Sequence, residues 1–289
     1  MIDFSKKYNR LFAIGCSFTN YNNWPTWASV LSQELNIPLY NLGHSGASNK
    51  YIQNQLFLLD ETYKLTEDDL VITQWTGHNR LSVLGDSFWS ESNEWKHYGD
   101  ITEKWKGHGR ATTDFKKSVM EGIQSFQTQR TLELESAIAI ESSLLYQDTL
   151  KCTCINLQMS PISDKIALPS FLSVLYPTSN SYGDVLENFV KIHTESEPEI
   201  TAMYSKYRTR ELLLKSKYKV NTYDIHPLPT EHVVYLEKIF NCTFSNYTKD
   251  LAKADEKKWF SNPDSRITKD RDNTFYGLEQ LQKIVSLPG

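Results

Sequence analysis

The chain has 289 residues, 39% of them hydrophobic and 23% charged, and this composition argues against a disordered protein. Its formal net charge is -4, with lysines scattered among acidic residues, so we expect no nucleic-acid partner. It has neither a run of about 18 apolar residues nor an apolar signal-like stretch in residues 1–10, so we expect a cytoplasmic protein without membrane contact.

Strand and helix patterns alternate through the first 80 residues. The apolar run at 10–14 predicts a buried strand, and the apolar spacing in 25–35 predicts an amphipathic helix. A short strand at 37–43, a helix at 48–64 and a third strand at 69–76 follow by the same criteria. This alternation predicts an α/β fold with a parallel sheet and helices on both faces.

The pattern is less regular after Leu81, and two long segments read as insertions in one main domain. We predict the main domain at 1–243, insertions at about 85–130 and 160–218, a helical region from about Phe115 to Leu150, a fourth strand at 152–159 and a fifth near YKVNTY. The charged segment 244–289 is predicted to be a C-terminal helical extension that packs on the same domain.

The four cysteines are too few and too irregularly spaced for a disulfide framework, so we expect them to be reduced. Cys152 and Cys154 would face one side of a strand, but no second cysteine pair accompanies them. We therefore interpret them as small core residues rather than metal ligands. No dinucleotide-binding glycine motif or P-loop follows any predicted strand. The sequence predicts no metal and no cofactor.

Polar residues and glycines follow the predicted strands, where open parallel sheets bind their ligands. Gly15-Cys16-Ser17 follows the first strand, NLGHSGASN the second and WTGHNR the third, while YDIHPLPTEH comes late in the chain. Together they offer a hydroxyl, backbone N–H groups, an amide side chain and an Asp/His pair, which acyl transfer requires. We expect Ser17 to be exposed where the strand meets a helix N-terminus. Alternatively it is only a helix cap, and the glycines only permit turns.

These four segments, in this order, resemble the conserved blocks of the SGNH (GDSL-like) hydrolases. The resemblance implies a three-layer αβα sandwich with a flavodoxin-like parallel sheet and a serine esterase mechanism. It implies that Ser17 is the nucleophile, His226 the general base and Asp224 the residue that orients the imidazole. It also implies an oxyanion hole made of the Ser17 and Gly46 N–H groups and the Asn79 side-chain amide.

Two positions depart from the family pattern. Cys16 stands where the family usually has Asp, and Asp224 and His226 are two residues apart instead of three. With the shorter spacing, a backbone carbonyl could hold the imidazole in place of Asp224. His232 is the alternative base, and we favour His226 because His232 is expected to be a surface or packing residue of the following helix.

Three tryptophans in the first insertion are candidates for substrate binding: Trp89, Trp95 and Trp105. Aromatic faces suit sugar rings, although these side chains could equally anchor a long loop. We expect the substrate to be a small O-acyl ester, such as an O-acetyl group on a carbohydrate. An O-acyltransferase that uses the same serine to acylate a saccharide, and a non-catalytic binding module on the same fold, remain as alternatives.

Overall fold

The computed structural model describes residues 2–21, 24–78, 80–86, 93–100, 129–159, 181–184 and 226–261. The strands are β1 (Arg10–Ile14), β2 (Leu39–Asn41), β3 (Asp69–Trp75), β4 (Arg80–Asp86), β5 (Asn93–Asp100), β6 (Thr153–Gln158) and β7 (Ser181–Asp184). The helices are α1 (Trp27–Leu35), α2 (Asn49–Tyr63), α3 (Gln129–Gln147), α4 (Pro229–Phe240) and α5 (Asn246–Ser261). The elements predicted in the first 80 residues are confirmed.

The main sheet has the strand order β2-β1-β3-β6-β7, and every described pairing within it is parallel. Leu11 of β1 lies between Leu39 of β2 and Leu70 of β3. This is the flavodoxin-like order, in which the chain direction across the sheet reverses between β1 and β3. The prediction of a doubly covered parallel sheet is confirmed.

Helices cover the sheet in two groups. Helix α1 packs against α4 and α5, whereas α2 packs against α3, which forms a three-layer sandwich around the sheet. Strand β3 is buried along its whole length, and in β1 only Arg10 is partly exposed. Strands covered on both faces need continuous apolar runs, and this explains why the sequence predicted both β1 and β3.

Polar residues precede α1 and α2, and residues in the left-handed conformation end both helices. Thr26 precedes α1, and Ser48 caps α2, where its hydroxyl accepts a long hydrogen bond of 3.5 Å from the Tyr51 N–H. Asn36 and Lys64 end these helices in the left-handed conformation. Asn49 is the first helical residue of α2.

A second sheet consists of the antiparallel pair β4 and β5. It lies in the region where the sequence analysis placed the start of an insertion, and α2 anchors it through the Ser48 N–H, which donates to Ser82 Oγ at 2.9 Å. Strand β7 falls within the segment 160–218, also assigned to an insertion. The YKVNTY candidate for a fifth strand lies outside the described residues.

Helix α5 packs on the α1 and α4 side of the molecule. Glu34 accepts hydrogen bonds from the N–H and hydroxyl of Ser245, and Lys249 pairs with Glu237 at 2.8 Å. Residues 246–261 are therefore held against the layer formed by α1 and α4. None of the helices described in this chain is both long and apolar enough to cross a membrane.

Candidate functional site

Ser17 lies in a tight turn directly after β1. The N–H groups of Thr19 and Asn20 both donate to the Cys16 carbonyl, at 2.9 and 3.0 Å, so the chain reverses over a single helical turn. Gly15 is required by close packing, because a Cβ at this position would lie 2.1 Å from Thr19 Oγ1. The Thr19 hydroxyl in turn donates to Gln74 Oε1 at 2.9 Å. This turn is thus fixed to β3.

The loop after β2 is bound to the same turn. Asn41 Nδ2 donates to the Thr19 carbonyl at 2.8 Å, and Asn20 Nδ2 donates to the Gly43 carbonyl at 2.9 Å. A Cβ on Gly43 would come within 2.9 Å of Thr19 Cβ, so glycine permits the close approach of the two loops. The segments that follow β1 and β2 therefore form one hydrogen-bonded unit.

Gly46 occupies a turn that favours glycine. The Ala47 N–H donates to the His44 carbonyl at 3.1 Å, and Gly46, the third residue of this turn, has a φ of 79°. Among the described residues, neither the Gly46 N–H nor the Ser17 N–H donates a hydrogen bond. Gly46 thus has a conformational role whether or not its N–H also binds an oxyanion.

The surroundings of Ser17 differ from the sequence-based expectation in two ways. Helix α1 begins only at Trp27, so Ser17 neither caps it nor lies at its N-terminus. Ser17 is also 5% exposed, whereas the sequence suggested an exposed hydroxyl. Ser17 lies instead in the turn after β1, which is bound to β3 and to the end of β2 through Thr19. Its hydroxyl makes no hydrogen bond within the part of the chain that the structure describes.

His226 is held beside this turn by aromatic side chains. Its ring stacks on Tyr21, with centroids 3.9 Å apart, and lies 5.0 Å from the Phe18 ring. Trp24 packs edge-on against Tyr21 and donates from Nε1 to the Pro227 carbonyl at 2.6 Å. The structure thus brings His226 against the residue that follows Ser17, from a distant part of the sequence. Among the described hydrogen bonds, none joins the side chains of His226 and Ser17.

His226 does not cap the following helix. The chain enters α4 at Pro229, and the Glu231 carboxylate accepts a hydrogen bond from the Leu228 N–H at 2.6 Å. His232 is fully buried within α4 and is a packing residue. Asp224 lies outside the described residues, so its relation to His226 remains a prediction.

The segment after β3 is fastened to the start of α2. Asn49 exchanges two hydrogen bonds with the backbone of Thr76, at 2.8 and 3.0 Å. His78 lies 3.5 Å from Glu133 of α3, and both side chains are 13% exposed. This His/Glu pair was not identified in the sequence. Asn79, the proposed oxyanion donor, lies outside the described residues.

A second cluster that sequence reasoning missed surrounds Met159, directly after β6. Its sulfur accepts contacts from the thiol of Cys16 and the hydroxyl of Thr76, each at 3.6 Å, and from Arg80 Nη2 at 3.4 Å. Arg80 is the last residue of the WTGHNR segment that follows β3. This position is the sequence signal that could have identified it. These contacts connect the ends of β1, β3 and β6 next to Ser17.

The remaining predicted site residues are only partly described. Trp95 is in β5, where its backbone pairs with Leu84, while Trp89 and Trp105 lie outside the described residues. Cys152 and Cys154 are half-buried against the core, with their sulfurs 3.6 Å apart. The described parts of the chain contain no cluster of three or more residues suited to hold a metal ion.

Comparisons with known proteins add little to this geometry. No protein-family model matches the chain, and no curated protein matches it. A solved structure described as BT4096, a gut microbial diltiazem-metabolizing enzyme, is similar at 13% identity with a TM-score of 0.33. The match covers 82% of this chain and 46% of that chain, so this protein spans less than half the length of BT4096. A functional assignment therefore depends on this chain's own side chains.

Proposed function

We propose that the protein is a serine esterase of the SGNH (GDSL-like) type that hydrolyses a small O-acyl ester, for which an O-acetyl group on a carbohydrate is the leading candidate. The observation that carries this proposal is the packing of His226 against Phe18 and Tyr21, which follow Ser17 in the segment after β1. An imidazole beside a serine is the pairing that activates a hydroxyl as a nucleophile. The resemblance of the four sequence segments supports the same assignment.

The proposed reaction has two stages. Ser17 Oγ forms a bond to the acyl carbon while its proton passes to His226, and the bond to the alcohol breaks as the alcohol leaves with that proton. Water then gives a proton to His226 and bonds to the acyl carbon. Ser17 regains the proton and the free acid is released.

Backbone geometry supports the proposed stabilisation of the oxyanion. The Ser17 and Gly46 N–H groups belong to two loops that Asn20, Asn41 and Gly43 bind together. Donors fixed in advance stabilise developing charge without reorganisation, and one such donor contributes roughly 3 kcal/mol. We assign the third donor to the side chain of Asn79, and we assign the orientation of His226 to Asp224.

The test is covalent labelling with a fluorophosphonate, combined with hydrolysis of p-nitrophenyl acetate. Wild-type protein should be labelled on Ser17, and Ser17→Ala should lose both the label and the hydrolysis. Ser29→Ala, a substitution in α1, is the matched control for removing a serine hydroxyl. Absence of labelling in the folded wild-type protein would favour a non-catalytic binding module and overturn the proposal.

His226 is tested by a variant that keeps its packing. His226→Phe retains an aromatic ring against Tyr21 and Phe18 but has no nitrogen to accept a proton. We expect it to fold normally and to lose at least about 10³-fold in turnover. Undiminished hydrolysis by this variant would exclude His226 as the base.

A further inference from the structure

Arg80 has a partly buried guanidinium that the proposed reaction does not use. It is the first residue of β4, and its Nη2 donates to the Met159 sulfur at 3.4 Å. Its Nη1 is buried and has no hydrogen-bond partner among the residues that the structure describes. Among the described residues, no carboxylate forms an ion pair with this guanidinium. Within the described part of the chain, this positive charge thus has no carboxylate beside it.

Burial of the Nη1 end of this guanidinium is costly. Every nitrogen of a guanidinium is a hydrogen-bond donor and none is an acceptor, so a buried Nη1 requires an acceptor from its surroundings. A buried charged N–H without an acceptor is unfavourable, and buried charges are normally paired. Arg10, the first residue of β1 in the main sheet, shows the usual solution, with Nε and Nη2 bound to both carboxylate oxygens of Asp69 at 2.8 and 2.6 Å. Arg80 has no such carboxylate partner in the described ranges.

The position of Arg80 connects this missing partner to the candidate active site. The Met159 sulfur that Arg80 contacts also lies 3.6 Å from the Cys16 sulfur, and Cys16 directly precedes Ser17. One methionine side chain therefore separates the guanidinium from the turn of the proposed nucleophile. A molecule that extends from Ser17 past Met159 would meet this guanidinium.

We propose that Arg80 binds a carboxylate of the substrate, and that the preferred substrates are O-acyl esters with a negative charge near the scissile bond. This inference rests on the proposed esterase function. The other groups that contact Met159 are a hydroxyl and a thiol. A ligand with one negative charge would therefore match the single guanidinium of this cluster. Carboxylates pair with guanidinium through strong charge-assisted hydrogen bonds. The carboxylate belongs to either the acyl group or the alcohol, and the experiment distinguishes the two.

The experiment compares esters that differ only in one charge. p-Nitrophenyl butyrate and mono-p-nitrophenyl succinate place a methyl or a carboxylate at the end of the acyl chain. Phenyl acetate and 4-acetoxybenzoate differ by a carboxylate on the alcohol side. For one of these pairs, we expect wild-type kcat/KM to be at least about tenfold higher for the anionic ester, as expected for a charge-assisted hydrogen bond. The pair that shows this preference identifies the side that carries the charge.

Variants of Arg80 test the origin of this preference. Arg80→Met removes the charge at similar length and should reduce the ratio of anionic to neutral kcat/KM to about 1. Arg80→Lys keeps the charge but loses the planar fork, and should give an intermediate ratio. Lys253→Met removes one exposed positive charge on α5 and should preserve the wild-type ratio. A wild-type ratio near 1 for both pairs, or a preference that survives Arg80→Met, overturns the inference.

A binding measurement separates failure of the inference from failure of the proposed function. Succinate is added to Ser17→Ala and to Ser17→Ala/Arg80→Met, and the thermal unfolding midpoint is recorded. If no ester is hydrolysed but succinate stabilises only the protein that retains Arg80, the anion site stands and the esterase proposal fails. If neutral esters are hydrolysed but neither succinate binding nor an anionic preference depends on Arg80, the esterase proposal stands and the anion site is excluded.

Discussion

The imidazole of His226 and the phenol ring of Tyr21 are stacked, with centroids 3.9 Å apart and planes inclined by 13°. Tyr21 belongs to the segment after β1, whereas His226 precedes α4, so this contact joins two distant parts of the chain. Trp24 reinforces it through a hydrogen bond to the Pro227 carbonyl. The position of the proposed base thus depends on aromatic packing around the turn of Ser17.

Removing the stacked ring should impair the reaction more than removing its hydroxyl. Tyr21→Ala takes away the surface that orients His226, and we expect kcat for p-nitrophenyl acetate to fall by about tenfold, since misplaced catalytic groups lose rate. Tyr21→Phe retains the ring and should retain most of kcat. Steady-state kinetics with a full pH profile checks both variants. Equal loss in Tyr21→Phe would show that the hydroxyl, and not the stacking, is what matters.

Gly15→Ala should destabilise the protein. The new Cβ would lie 2.1 Å from Thr19 Oγ1 and 3.2 Å from Gln74 Cβ, so the turn after β1 must shift. Overpacking of this kind costs about 1–3 kcal/mol in free energy of unfolding, measured here by urea denaturation. The double variant Gly15→Ala/Thr19→Ala removes the clashing oxygen and should be less destabilised than the sum of the two single variants. Strict additivity would contradict the clash.

Asp69 should make stability depend on acid pH. Burial raises the pKa of this carboxyl, but hydrogen bonds from Arg10 and Thr66 outweigh it and hold the pKa below its usual range. The stabilisation is therefore complete above the unfolded-state pKa of about 3.9 and is lost as the pH falls through the lower folded-state pKa. Asp69→Asn should cost about 3–5 kcal/mol at pH 7 and flatten the stability curve at acid pH.

A matched control for Asp69 is Asp250→Asn, which breaks an exposed ion pair with Lys253. Its cost should stay below about 1 kcal/mol, because exposed pairs contribute little. Urea denaturation at several pH values between 3 and 7 measures both variants. Equal costs for the two substitutions would show that burial of the Arg10 pair does not matter.

Cys152 should be alkylated faster than Cys242 at pH 8. A hydrogen bond from Cys154 lowers the pKa of the Cys152 thiol, whereas burial raises the pKa of Cys242 to about 11. The thiolate is the reactive form, so iodoacetamide should modify Cys152 first, as followed by mass spectrometry. Cys154→Ala removes the hydrogen bond and should slow the reaction of Cys152. An unchanged rate in that variant would exclude this effect of Cys154.

Part of the candidate site could be predicted because its signals are local. The turn residues Gly15, Ser17, Gly43 and Gly46 follow short apolar strands, and the structure gives both Gly15 and Gly43 a packing reason and Gly46 a backbone one. The burial of Ser17 could not be predicted, because it depends on a turn whose packing partners come from other strands. Arg80 was missed for a similar reason, since an arginine at the start of a strand is ordinary until its surroundings are known.

The sequence by itself determined the alternation of strands and helices at 10–76, because apolar runs and helical periodicity are properties of neighbouring residues. It also determined which residue types follow each strand. Only the tertiary structure decided the strand order, the contact of His226 with Tyr21 and the contact of Arg80 with Met159. These depend on contacts between residues far apart in the chain, and such contacts form only when the sheet and its two helical layers pack together.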